Sequence, residues 1–202
     1  MGQRLSLVIN HDAVPIANAY YHWSAYTRAA LDLLHQAMEY ASKHPGLNPD
    51  QLAVLSLMET GAKPTQGELT AIAKILDTAE EEFIIATNRN DGLLAVTEAG
   101  MEETETFAEG VAELDLDRMR ASCSLIYQYD SLEEICDSYD IEVDSEEAAD
   151  YKNLQTYPEE IEVGDMSLEE LGSLIVFLDE LVGTHRQYVF QLPSGVFVEI
   201  IE

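Results

Sequence analysis

The stretch RLSLVINHDAVPIANAYYHWSAY, residues 4–26, carries two β-type apolar runs on either side of the turn-like HDAVP, and so predicts a hairpin. The pattern then changes period. Ala30, Leu31, Leu34, Met38 and Ala41 recur as one face of a helix that Thr27 would cap and that HPG would stop. A shorter helix opens near Asp50 and runs through Met58, and GELTAIAKILDTA predicts a third, with Leu69, Ile72, Ala73 and Leu76 spaced for burial. GAKPTQGE, between these two, reads as an interhelix loop. Apolar stretches of strand length follow: FIIAT, GLLAVT after the turn signal NRNDG, GVAELDL and ASCSLIYQY. SLEEICDSY reads as a short helix in which Ser131 and Glu134 form a capping box, and SLEELGSLIVFLDELVG repeats the device with Ser167 and Glu170. QYVFQLPSGVFVEII, two alternating runs about PSG, predicts a closing hairpin.

These elements imply an α+β fold: an antiparallel or mixed sheet with hairpins at both ends, packed by four to five helices. Neither an internal repeat nor a Pro/Gly/Ser-rich linker divides the chain, so residues 1–202 read as a single α+β domain with a strongly acidic middle segment, 98–170. The 47% hydrophobic content suffices for a core. Without a run long and apolar enough to span a bilayer, or a basic, apolar leader, the chain is expected in the cytoplasm of its bacterial host. The opening MGQRLS fits a lipidation pattern, but a strand starting almost at once competes with it.

Charge changes the picture most. The chain has 39 acidic against 10 basic residues, a formal net charge of -29. Residues 98–170 alone hold 24 acidic and 3 basic side chains, and DSLEEICDSYDIEVDSEEAADY, residues 130–151, has ten carboxylates and neither lysine nor arginine. Such a surface repels nucleic-acid backbones and anionic membranes, which argues against direct binding to either. The candidate chemistry is correspondingly thin. An EF-hand register from Asp140 fails, because Ser145 stands where glycine is needed and Tyr151 where a bidentate glutamate is needed. The five histidines and two cysteines show no zinc spacing, and phosphate-loop, dinucleotide and nucleophile-elbow motifs are missing, so neither metal, cofactor nor catalytic role is assigned. As a strand, YYHWSAYT would present Tyr20, His22 and Ser24 on one side, next to Arg28, forming an alternative ligand site for a signalling nucleotide or an enzyme acting on one. The same residues also fit a core strand with amphipathic tyrosines at its rim.

Duplex DNA carries a negative charge per about 1.7 Å of axis, so the 21 net charges of residues 98–170 (24 minus 3) correspond to roughly 36 Å of duplex. A compact chain of this length has a diameter of roughly 40 Å. Carboxylates gathered on one side would therefore present a basic groove with nearly the charge density of its normal ligand. The residues singled out as phosphate surrogates are Glu133, Glu134, Asp137, Asp140, Glu142, Asp144, Glu146 and Glu147. The expected partner is the basic nucleic-acid-binding groove of a host defence protein or nuclease. Two other readings stay open: an acidity that serves salt adaptation, and an inhibitor that docks through an apolar surface and uses charge for solubility.

GQRLSLVI, IANAYYHWSAYT and NRNDGLLAVTEAGMEET, spread over the first 120 residues, resemble a group of small acidic proteins encoded by phages and prophages of Gram-positive bacteria. The resemblance implies a context, that of anti-restriction and anti-CRISPR inhibitors, and assigns no functional residue.

Overall fold

The computed structural model describes residues 4–22, 24–25, 27–80, 92–105, 108–125, 142, 160–181, 188–191 and 197–201. Leu5, Leu7 and Ile9 of strand β1 (Leu5–His11) face Tyr21, Ala19 and Ala17 of β2 (Val14–Tyr21) in an antiparallel pair, and all six are buried. Because side chains alternate along a strand, Ser6, Val8, Asn18 and Tyr20 fall on the opposite face. The remaining strands among the described residues are β3 (Ala62–Pro64), β4 (Gly92–Ala95), β5 (Gly110–Asp115), β6 (Arg120–Leu125), β7 (Glu160–Met166), β8 (Tyr188–Gln191) and β9 (Phe197–Ile201). They form one sheet in the order β3-β4-β2-β1-β5-β6-β7-β9-β8. β1 with β5 and β3 with β4 run parallel while the other pairs are antiparallel, so the sheet is mixed and the class is α+β.

Five helices accompany it among the described residues: α1 (Thr27–Lys43), α2 (Pro49–Glu59), α3 (Leu69–Leu76), α4 (Glu98–Glu105) and α5 (Leu168–Leu181). The apolar stripe read from the sequence is the face α1 buries, with Ala30, Leu31, Leu34, Met38 and Ala41 all in the core beside Leu5, Leu7, Ala112 and Leu114. α1 packs on β1, β5 and β6 and against α2 and α5, while α2 covers β2, β3 and β4 and supports α3. These helices define an inner side of the sheet. α2 starts at Asn48, whose side chain accepts from Gln51 N–H at 2.9 Å, with Pro49 in the first turn. α5 starts with the expected capping box: Ser167 Oγ accepts from Glu170 N–H at 3.3 Å, and Glu170 Oε2 accepts from Ser167 N–H at 2.8 Å.

α4 lies on the other side, against β2 and β4. It is anchored by a buried polar relay in which Thr104 donates to Asn18 Oδ1 at 2.7 Å and Asn18 Nδ2 donates to Ser6 Oγ at 3.1 Å. The acidic sequence EAGMEETE gave no apolar stripe to reveal this helix, because its docking is polar. β3 corrects the interhelix-loop reading of residues 61–68: three residues are too few to show alternation, and Pro64 is tolerated on an edge strand. The run from residue 20 also departs from expectation, since β2 ends at Tyr21 and α1 begins at Thr27. The chain leaves the sheet there to carry α1 over the inner side, so the strand alternation expected for Tyr20, His22 and Ser24 does not continue. FIIAT and SLEEICDSY with Ser131 and Glu134 lie outside the described residues. Among the described residues, no helix is long and apolar enough to cross a membrane.

Candidate functional site

The outer side of the sheet carries polar and acidic side chains. Ala112 and Leu114 of β5 point into the core, so Val111, Glu113 and Asp115 point outward, beside Asn10 of β1 and Ser122 of β6. Glu113 accepts from Asn10 Nδ2 at 3.4 Å and from Ser122 Oγ at 3.3 Å. Asp115 Oδ1 accepts from the N–H groups of Asp117 and Arg118, at 2.9 and 3.1 Å, and so shapes the turn between β5 and β6. Asp117 reaches across to the β1–β2 turn, where its Oδ1 lies 2.6 Å from His11 Nδ1 and its Oδ2 accepts from Asp12 N–H at 2.6 Å. That bond helps hold Asp12 and Ala13 in the left-handed region, at φ of 51° and 59°. α4 adds the exposed Glu102 and Glu103 on the same side.

Each described arginine already faces a carboxylate. Arg4 bonds Glu109 at 3.0 Å, Arg28 bonds Asp32 and Asp179, Arg118 reaches Asp165 at 2.5 Å, and Arg120 reaches Glu170 at 2.9 Å. The hydrogen bond from Arg4 holds the Glu109 carboxyl below the usual glutamate range, and the Arg4 guanidinium is correspondingly raised. For Arg28, burial opposes the charge, but the bond to Asp179 and the field of Asp32 outweigh it and leave the pKa raised.

A second feature is a cleft of about 530 Å³ where α4 meets the outer face of β2 and β4. Tyr20 and Leu93 form its apolar wall, and Ala95, Gly67 and Gly100 leave it open. At its base is Glu68, only 4% exposed. Its Oε2 accepts from Val96 N–H at 2.8 Å and Thr97 N–H at 3.1 Å, and its Oε1 accepts from Thr97 Oγ1 at 2.5 Å. The carboxylate thereby occupies the positive end of α4, while Thr97 Oγ1 also accepts from Gly100 N–H at 3.2 Å as a side-chain cap. A Cβ at Gly100 would collide with Glu68 Oε1, so glycine is required at that approach. Sequence reasoning passed over Glu68: its partners lie about thirty residues away along the chain, and nothing local marks it as a cap for another helix.

Of the alternative ligand site, the structure joins Tyr20 and His22, whose Oη and Nδ1 are 3.2 Å apart. Burial raises the Tyr20 pKa against the lowering effect of nearby Arg4. Ser24 is buried, at 7% exposure, and the guanidinium of Arg28 is directed at Asp32 and Asp179. Of the acidic residues singled out, Glu142 is exposed, whereas Glu133, Glu134, Asp137, Asp140, Asp144, Glu146 and Glu147 lie outside the described residues. The three-dimensional fold instead adds Glu103, Glu113, Asp115 and Asp117. No family model matches the chain, and neither the curated proteins nor the solved structures contain a significant match to it.

Proposed function

We propose that this chain is a non-catalytic inhibitor of a nucleic-acid-handling protein, of the anti-restriction or anti-CRISPR type, acting in a bacterial cytoplasm. It docks its acidic outer side into the basic groove where the target holds DNA or guide RNA. The observation that carries this reading is the placement of Glu103, Glu113 and Asp115 on the side of the sheet opposite α1, α2 and α5, with Asp117 in the adjoining β5–β6 turn. Strands lie about 4.8 Å apart, so Glu113 on β5 and the β2 strand beneath α4 are separated by about 10 Å across the sheet. Such rigidly spaced carboxylates have the character of a phosphate row, and among the described residues each arginine is drawn to a carboxylate.

A nucleotide ligand is less well served, because Arg28 is committed to Asp32 and Asp179 and the cleft beside Tyr20 carries Glu68 and Glu103. An apolar docking surface is likewise poorly supplied among the described residues, where the large exposed apolar residues Val14, Leu93, Val111 and Val176 sit on four different elements.

The test is affinity capture from bacterial lysate on the full chain at low and high salt, with duplex DNA as competitor. A basic nuclease or effector retained at low salt, released by DNA, and lost with the double variant Glu113→Lys/Asp115→Lys is the expected result. Retention that ignores salt, DNA and charge reversal overturns the reading.

A further inference from the structure

The cleft beside α4 has features that general acidity does not require. We propose that it is the seat for an arginine side chain of the basic partner, an inference that rests on the function proposed above and gives that contact a fixed anchor. Its size, about 530 Å³, lies in the range of clefts that enclose small ligands, about 300–1,000 Å³. The apolar wall suits an arginine arm: Leu93, 44% exposed, offers surface to the methylene stem, and the Tyr20 ring offers a face for the guanidinium.

The charge is equally selective. Glu68 and Glu103 are the charged groups among the described lining residues, and both are negative. A carboxylate accepts about four hydrogen bonds, and Glu68, which lines the cleft, receives three, two on Oε2 and one on Oε1. Glu103, exposed in the second turn of α4, also lines the cleft and supplies a second carboxylate. Anionic ligands are disfavoured for a structural reason as well, because Glu68 already fills the helix N-terminus that would attract them. Arginine fits better than lysine: its planar guanidinium can stack on Tyr20 while donating to the carboxylates, whereas an ammonium is a strongly hydrated point charge.

The test is a nuclear magnetic resonance titration of the full chain with N-acetyl-arginine methylamide and with its uncharged analogue, N-acetyl-citrulline methylamide. The arginine probe is expected to shift the amides of Leu93, Ala95, Thr97 and Gly100 along a single-site curve, about tenfold more tightly than citrulline. Ala99→Phe, at an exposed lining position, should remove the shifts without unfolding the protein, and Glu103→Gln should weaken them. Equal binding of citrulline, persistence of the shifts in Ala99→Phe, or shifts scattered over carboxylates elsewhere would overturn the proposal. The two readings fail separately: a silent cleft with DNA-competed, salt-sensitive capture removes the arginine seat alone. Specific arginine binding with capture indifferent to salt and DNA removes the nucleic-acid-groove target while leaving the cleft site.

Discussion

Tyr20 and Tyr21 are neighbours in sequence on opposite sides of one strand, and they summarise the difference between the two sides of the sheet. Tyr21 is 1% exposed, its hydroxyl bonds Thr60 inside the core, and burial raises its pKa. Tyr20 is half-buried, touches His22, and lines the cleft under α4. The inner side is closed by α1, α2 and α5 with mainly apolar side chains. On the outer side, α4 is held to β2 by hydrogen bonds, and the neighbouring surface on β5 displays carboxylates. Stability is therefore concentrated on one side of the sheet, which leaves the other free to carry charge whose mutual repulsion opposes folding.

Mutations should expose that asymmetry. The largest effect is expected at Leu7, fully buried on β1, where Leu7→Ala should cost about 2–5 kcal/mol in chemical denaturation. Val111→Ala, on the outer face, should stay within about 0.5 kcal/mol. Comparable losses at both positions would mean that the outer side is covered. Next is Glu68→Ala, which strands the Val96 and Thr97 amides and should cost about 2 kcal/mol, with faster hydrogen exchange confined to the start of α4. A uniform rise in exchange would instead show that α4 is not separately anchored. Ser167→Ala removes the α5 cap and should cost about 1 kcal/mol.

The smallest effect concerns ionisation. Glu109 is lowered by its bond from Arg4, so the pair's stabilisation is present above the ordinary glutamate range and is lost as the pH falls through the lowered value. Carboxyl-detected titration should therefore find Glu109 ionising below the ordinary glutamate value, and Arg4→Met should return it there. An unchanged midpoint in that variant would rule out the ion pair as the cause.

Legibility followed the driving force of each element. α1 was readable because its apolar stripe is the face that meets β1 and β5, and the start of α5 because Ser167 and Glu170 satisfy each other's backbone within four residues. α4 and Glu68 were not, because one docks through Thr104 and Asn18, 86 residues apart, and the other caps a helix about thirty residues downstream. The YYHWSAYT run misled for a related reason: alternation records which residues could form a strand, while the path of α1 ends that strand at Tyr21.

By itself, the sequence determined the α+β class, the buried face of α1 and an excess of carboxylates too large for ordinary solubility, since periodicity and net charge are properties of the chain alone. Only the tertiary structure decided that Glu103, Glu113 and Asp115 share a side, that Arg28 is bound by Asp32 and Asp179, and that Glu68 closes the end of α4 beneath a cleft. Those relations depend on strand order and on contacts between distant residues, which local patterning does not encode.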